Sequence, residues 1–292
     1  MEKTVNNRIK GKIYILGAFG YLGGQCSTYF RSRGYEVLNE KVDITDLPST
    51  IKAFQKYRPD AAINLTGPPA NPTIDWCEDN KEETIKMIVS APINFAVAAA
   101  QTGAYPIQIT SGCVYNGGVE RTFTEDDEPN FFGSFYSRMR VVGQKALAEL
   151  PVLQARIRMP ISCIPHPRNT VTKIISYKKL ISLPNSVTFL DDLWPAIERT
   201  IDTRPIGILN LTNDGYITHE QIINAYRKVI NPNHNYEKIS LEQLEEEITK
   251  SKRSNCILGM KKAKSLGIYM PELTNERLNE IMEKYKTNLA ST

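Results

Sequence analysis

Short apolar runs bounded by glycine, proline or acidic residues alternate with longer amphipathic stretches along this chain. That alternation predicts parallel strands joined by crossover helices. Lys12-Ile13-Tyr14-Ile15-Leu16 reads as a first, buried strand. A helix from Tyr21 to Arg33 follows and stops at Gly34. Glu36 to Glu40 reads as a short second strand, and Asp46 then caps a helix with Pro48 in its first turn. Asp60 to Thr66 is a third strand, ended by Gly67-Pro68-Pro69. Asp75 starts a helix that runs to Gln101 with a break near Pro92, Ile107 to Ser111 is a fourth strand, and Ser134 to Leu150 is helical.

The second half repeats the theme less regularly. Arg156 and Arg158 flank Ile157 on a strand and share one face, where one of them fits a sheet-edge charge. A turn at Pro184-Asn185 precedes another strand, Asp191 to Thr203 is a helix, and Gly207 to Thr212 is a buried strand that rejoins the sheet. Thr218 caps a helix to Ile230. Leu241 to Lys250 and Asn275 to Lys286 are amphipathic helices whose leucine and isoleucine spacings are core faces, and the terminal Asn-Leu-Ala-Ser-Thr is expected to fray. The fold class expected is α/β, a Rossmann-like doubly wound parallel sheet with a smaller C-terminal substrate lobe. Residues 1–160 and 187–212 form the dinucleotide-binding part, and 161–186 with 213–292 form the lobe.

Composition narrows this further. The chain has 292 residues, 41% hydrophobic and 23% charged, which excludes disorder and small disulfide scaffolds. The first twelve residues lack the apolar core of a signal peptide, and no apolar run reaches the roughly 18 residues of a membrane helix. Five scattered cysteines without a CxxC fit reduced thiols in a cytoplasmic protein, and three dispersed histidines give no metal site. A net charge of +4 with dispersed basic residues speaks against nucleic acid. The run Glu125-Asp126-Asp127-Glu128 reads as a solvated loop, and His166, between two prolines, as a weak candidate for substrate contact.

The chemistry concentrates at three places. Gly17, Gly20 and Gly23 form a GxxGxxG turn between the first strand and the first helix. Gly17 allows the sharp turn, Gly20 the close approach of backbone N–H groups to a pyrophosphate, and Gly23 the packing of helix on sheet. Glu40 and Lys41 at the end of the second strand leave NAD and NADP both open. Ser111 and Cys113 fall at the carboxyl end of the fourth strand, where open parallel sheets carry their chemistry. Tyr136 and Arg140 lie one turn apart on a helix, and a cation beside a phenol suits it for proton transfer near neutral pH.

With GAFGYLGG, Ser111 and Tyr136 in these positions the chain resembles an extended short-chain dehydrogenase/reductase. DWCEDNKEETIK, SGCVY, EPNFFGSFYS, RIRMPIS, PRNTVTKIISY, LPNSVTFLDDL and RSN make it similar, more narrowly, to the nucleotide-rhamnose synthesis enzymes of plants and giant viruses. Those are bifunctional 3,5-epimerase/4-reductases of UDP-4-keto-6-deoxyglucose, related to dTDP-4-dehydrorhamnose reductase. The resemblance implies Cys113 and Lys173 as the acid and base of epimerisation, with Ser111, Tyr136 and Arg140 serving reduction. It implies NADP (NADPH) rather than NAD, held by Gly17, Phe19, Gly20, Tyr21, Leu22, Asp43, Leu65, Thr66 and Gly67 together with Tyr136 and Arg140. A UDP-sugar would be gripped by Asn71, Arg158, Arg168, Asn169, Arg253 and Asn255, beside Cys113 and Lys173, and a homodimer is a further expectation.

Two positions depart from that pattern. Arg140 stands where the family carries the lysine of Tyr-x-x-x-Lys, and Ile88 where its helix shows an asparagine that supports the proton path. Both changes fall on the reductase machinery, so epimerase activity is expected to be the more secure. Two other readings stay open. One is the same chemistry on a UDP-linked 2-acetamido sugar, because Pro68-Pro69-Ala70-Asn71 differs from the family loop. The other is a catalytically silent NADP-binding regulatory subunit, a use of this fold seen in the β subunit of methionine adenosyltransferase.

Overall fold

The computed structural model describes residues 10–290. Most of the leader expectation, and Ser291 and Thr292 of the terminal one, lie outside the described residues. The strands in chain order begin with β1 (Lys12–Leu16), β2 (Glu36–Leu38), β3 (Ala61–Asn64), β4 (Tyr105–Ser111), β5 (Thr122–Phe123) and β6 (Leu153–Ile157). They continue with β7 (Pro160–Ile161), β8 (Lys179–Leu180), β9 (Thr188–Phe189), β10 (Gly207–Asn210), β11 (Glu237–Lys238) and β12 (Ile257–Leu258). Six of them form one parallel sheet in the order β10-β6-β4-β3-β1-β2. The order reverses between β1 and β3, which puts the switch point of a doubly wound sheet between those two strands.

Alternation along the strands feeds both faces of the main core. Ile13 and Ile15 of β1 pack with α1 (Tyr21–Ser32) and with Leu190, Leu193 and Trp194, while Tyr14 and Leu16 pack on the opposite face. That second face is covered by α2 (Leu47–Tyr57) and by a helical series from Trp76 to Thr102. Asp46 caps α2, its side chain accepting the Ser49 N–H at 2.9 Å, as the sequence predicts.

The series at 76–102 differs from the expected helix. It divides into α3 (Trp76–Asp79), α4 (Lys81–Ile85), a π-helical turn (Lys86–Ser90) and α5 (Ala91–Thr102). The break falls at Asn80, where φ is −124°, and not at Pro92. Pro92 sits in the first turn of α5, where a missing N–H disturbs little. The stretch Lys81–Thr102 is long and apolar enough to cross a bilayer. It packs against α2 and α6 (Phe135–Ala148), as a core helix does.

A second core gathers α7 (Thr170–Ser176), α9 (His219–Val229) and α12 (Asn275–Leu289) around Ile174, Ile222, Ile281 and Tyr285. Between them run α8 (Leu190–Thr203), α10 (Leu241–Glu247) and α11 (Lys261–Ser265). Helix α12 extends through Leu289, beyond the expected end, so Asn288 and Leu289 are helical rather than frayed. Helix α10 buries no residue, so its expected core face is a surface. Residues 260–270 pack into the main sheet's core through Met260, Ala263, Ile268 and Met270 rather than into the second one.

Two further expectations change. Neither arginine around Ile157 is a sheet-edge charge, since β6 lies between β4 and β10 and Arg156 and Arg158 are 1% and 2% exposed. Arg156 donates to Asn210 Oδ1 at 3.1 Å and Gln144 Oε1 at 3.0 Å. The acidic run is not simply solvated. Glu125 accepts the Asn210 N–H at 2.8 Å and Asp127 accepts from Thr124 N–H and Oγ at 2.7 and 2.9 Å, which satisfies backbone donors at a bend.

His219 opens α9 with Nδ1 3.0 Å from the Ile181 carbonyl. Burial holds its pKa down to about 4, the Ile181 bond opposing and Arg158 adding to the depression. The unfolded chain therefore binds this proton first, so stability is full above about pH 6.5 and falls as pH drops towards 4. His219→Gln is expected to remove up to about 3 kcal/mol of that acid-side loss, read as the difference between the two proteins' urea-unfolding free energies against pH. Parallel curves for the two proteins would contradict it.

Candidate active site

The turn after β1 is shaped by contacts that no side chain would tolerate. Gly17 has φ +83°, and a Cβ there would lie 3.1–3.3 Å from the backbone of Leu65 and Thr66. A Cβ on Gly23 would lie 2.0 Å from the Gly17 carbonyl oxygen. Gly20 is the N-cap of α1, without a capping side chain, and no acid stands in the first turn. The first N–H groups of α1 therefore face outward without an intrahelical acceptor, an arrangement that favours an anion.

A cleft of about 280 Å³ opens there, lined by Gly17, Phe19, Gly20, Glu40, Lys41 and Thr66 among others. The Glu40 carboxylate turns to Lys56 at 3.3 Å, and Lys41 Nζ lies 5.3 Å from the Phe19 ring centroid. Leu22 and Leu65 pack against the main core with partly buried side chains. Tyr21 points away from it, bonding Ser162 Oγ at 2.8 Å and stacking on His166 at 4.6 Å. Asp43 does not line the cleft, because its Oδ1 accepts from the N–H and hydroxyl of Thr45 in a local turn. The turn engages one carboxylate oxygen of this exposed residue.

At the end of β4, Ser111 Oγ accepts the Cys113 N–H at 3.1 Å. Gln144 of α6 donates to the Ser111 carbonyl at 3.1 Å and is itself held by Arg156, so α6 is tied to the strand end. Ser134 caps α6 and Glu78 accepts the Phe135 N–H at 2.6 Å, which fixes the turn carrying Tyr136. The Arg140 guanidinium carbon is 5.0 Å from the Tyr136 ring centroid and its Nη2 is 3.8 Å from where a Cβ on Gly67 would be. Arg140 Nε is buried with no partner. Ile88 is 2% exposed and its carbonyl lies 2.6 Å from the position of a Gly143 Cβ, so this residue packs against α6 and offers no polar side chain.

Cys113 is the one cysteine that is not buried. Arg158 Nη1 donates to its sulfur at 2.9 Å. The rest of that guanidinium bonds Asn185 Oδ1, at 3.2 Å from Nε and 2.5 Å from Nη2, and the Ser254 carbonyl. Four of the five Arg158 N–H groups thus have partners within the protein and the residue is 2% exposed, so it is held as a buried structural group and not open to a diphosphate as the sequence led us to expect. Asn185, read only as part of a turn, also bonds Asn255 and the Cys256 N–H. No local pattern marks this role, since its partners are brought in from 27 to 71 residues away.

Lys173 stands on α7, with Nζ donating to the Pro72 carbonyl at 3.0 Å. Burial, and then the charge of Arg168, lower its pKa below that of an ordinary lysine. Arg168 itself is exposed, as is Asn71 in the loop facing Lys173. No hydrogen bond joins Lys173 to Cys113 among the described residues, so the structure sets the thiol and the amine on separate supports.

The remaining substrate candidates are occupied. Asn169 caps α7 and is 0% exposed, with Oδ1 accepting from Val171 at 3.1 Å and Nδ2 donating to the Ser162 and Ile164 carbonyls. Asn255 is 6% exposed and bonds Asn185 and the Arg253 carbonyl. Both are corrected from ligand groups to structural ones. Arg253 forks onto Asp75 at 3.0 and 2.6 Å, and Asp75 also accepts from Ser251 at 2.8 Å. Asp75 was legible only as a helix start.

A parallel sheet with this glycine turn and this strand-end cluster defines a Rossmann-like fold of the short-chain dehydrogenase/reductase type. The chain belongs to the family described as RmlD substrate binding domain, whose model matches residues 11–180. It is 32% identical over 95% of its length to the trifunctional UDP-glucose 4,6-dehydratase/UDP-4-keto-6-deoxy-D-glucose 3,5-epimerase/UDP-4-keto-L-rhamnose-reductase of Arabidopsis thaliana, of which it spans 42%. It therefore covers about two-fifths of such trifunctional relatives. The bifunctional dTDP-4-dehydrorhamnose 3,5-epimerase/dTDP-4-dehydrorhamnose reductase of the same plant is 31% identical, with 94% of this chain and 92% of that one covered. The crystal structure of the UDP-rhamnose synthase of Acanthamoeba polyphaga mimivirus superposes with a TM-score of 0.88 at 30% identity, covering 94% and 99% of the two chains.

Burial opposes the Asp75 charge, yet the bonds from Arg253, Ser251 and Thr73 hold its pKa down to about 2. Its contribution to stability is present above about pH 4 and is lost as pH falls towards 2. Because both side chains are 17% exposed, Asp75→Asn is expected to cost about 1–3 kcal/mol at neutral pH, between the values for surface and buried pairs. Urea unfolding measures this, and an unchanged midpoint would contradict it.

Proposed function

We propose that this chain is a nucleotide-sugar enzyme that epimerises C3 and C5 of a UDP-linked 4-keto-6-deoxy-hexose and reduces C4 with NADPH, giving a UDP-L-rhamnose-type sugar. The observation that carries this reading is the group at the carboxyl end of β4, where Ser111 and Cys113 are bonded to each other beside a helix bearing Tyr136 and Arg140. Membership of the family and the activities printed for the relatives support it.

The residues present fit a nicotinamide dinucleotide. Gly17 and Gly20 leave the space that a side chain would fill, the first turn of α1 offers free N–H groups, and Arg140 Nε is a buried donor without a partner. Phe19 and Thr66 line the cleft, Gly67 lies under Arg140, and Lys41 at the rim with Glu40 turned away favours NADP over NAD. NADPH bound there supplies hydride to C4.

The chain's own groups handle the protons. The C4 ketone acidifies the C–H bonds at C3 and C5. One of Cys113 and Lys173 removes such a proton, the electron pair moves into an enolate on O4, and the other returns a proton to the opposite face. The lowered pKa of Lys173 suits its amine to this exchange near neutral pH. Ser111 holds the C4 oxygen by a hydrogen bond. Tyr136 protonates the alkoxide formed on reduction, and the charge of Arg140 steadies the phenolate until solvent restores its proton. Arg168 and Asn71, both exposed near Lys173, are the groups assigned to the UDP end.

Incubation with UDP-4-keto-6-deoxyglucose in heavy water is expected to introduce deuterium at C3 and C5 with or without NADPH. Formation of UDP-rhamnose requires NADPH. No uptake and no product would overturn the proposal in favour of a 2-acetamido substrate or a silent subunit. Reduction is expected to be the weaker step, because a guanidinium is bulkier than an ammonium beside Tyr136. Arg140→Lys is expected to raise NADPH oxidation by roughly tenfold. Rapid wild-type oxidation that the change leaves level or lowers would contradict this.

A further inference from the structure

Arg158 is a buried cation without an acid. It is 2% exposed, and its partners are an amide oxygen, a backbone carbonyl and the Cys113 sulfur, none a carboxylate. A buried charge left without a counter-charge is strongly unfavourable. Two sulfurs face it, those of Cys113 and Cys256. Cys256 is fully buried and donates its S–H to the Gly112 carbonyl at 3.4 Å, and burial pushes its thiol pKa up. Cys113 instead accepts from Arg158 and is partly open to solvent. It is the sulfur placed to carry negative charge.

We propose that Arg158 is a positioning residue that aims the Cys113 sulfur and stabilises the negative charge it takes on giving up its proton. Its link to catalysis rests on the epimerase reading above, while the contact itself does not. Asn185 is what makes the aim rigid. It receives both Nε and Nη2 of Arg158, is 2% exposed, and is held by Asn255 and by paired backbone bonds with Ile217. The guanidinium is therefore clamped on one edge and offers Nη1 in a fixed direction. Burial pulls the Arg158 pKa down, but the Cys256 and Cys113 sulfurs carry it above its ordinary value, so it stays charged. The other titratable groups that face it are Tyr136 from α6 and His219 from α9.

Alkylation of Cys113 by iodoacetamide tests this without substrate, because the reaction passes through the sulfur anion. The other four cysteines are buried, and mass spectrometry of the Cys113 peptide follows this one alone. Arg158→Met is expected to slow alkylation near pH 7.5 by about tenfold and to move the rate profile to higher pH, with Arg158→Lys recovering part of the loss. Thermal unfolding confirms that each variant is folded. A folded Arg158→Met protein alkylated as fast as wild type, or faster, would overturn the proposal. If the methionine variant does not fold, the lysine variant decides, a slower rate supporting the proposal and an unchanged one overturning it. Deuterium exchange on the wild-type protein separates the two ideas. Slowed alkylation in the variants with no exchange in the wild type would keep Arg158's role and end the epimerase reading. Exchange in the wild type with unslowed alkylation would do the reverse.

Discussion

One buried guanidinium ties together three distant parts of the chain. Arg158 leaves the end of β6, meets Cys113 just beyond β4, and is clamped by Asn185 and the Ser254 carbonyl from the segments before β9 and β12. A cation removed from water must be surrounded by acceptors, and here those acceptors come from segments 27 to 96 residues away. The requirement to satisfy it therefore fixes how the C-terminal segments close over the sheet. Arg253, next to Ser254, is likewise brought onto Asp75 from 178 residues away. These polar contacts, together with an apolar cluster of Val114, Tyr115, Phe123, Val141, Cys256 and Leu258, close the C-terminal segments over the site.

The sheet provides the fixed frame for that closure. Strand β4 is buried along its whole length, and Gln144 and Arg156 pin its carboxyl end to α6. Ser111, Cys113 and the helix of Tyr136 are thus held by one rigid unit. Lys173 stands on α7, whose Val171 and Ile174 pack into the second core, and it reaches the sheet side through the Pro72 carbonyl. Epimerisation on this reading requires groups on opposite faces of one ring, and separate supports for thiol and amine are the arrangement that permits it.

The frame was readable from periodicity because each strand of the sheet is a short apolar run between turn residues, and glycines mark where backbone meets backbone. Gly17 and Gly23 have requirements set by their neighbours within a few tens of residues. The roles of Arg158, Asn169 and Asn255 were not readable in the same way. Arginine and asparagine in a matching segment suggest ligand contacts, and only the fold shows their hydrogen bonds already taken by other residues. Asn185 and Asp75 were missed for the converse reason. Nothing local distinguishes a turn asparagine or a helix-start aspartate from one that clamps an arginine. The π-helical turn at Lys86–Ser90 was also hidden, and the approach of Gly143 to the Ile88 carbonyl there is a contact across 55 residues.

The most direct test is a crystal structure of the protein with UDP-rhamnose and NADP bound. The account predicts the sugar ring between the Cys113 sulfur and the Lys173 amine, one on each face, with C4 turned to Ser111 and Tyr136. A ring seated away from Cys113, or with both groups on the same face, would contradict it.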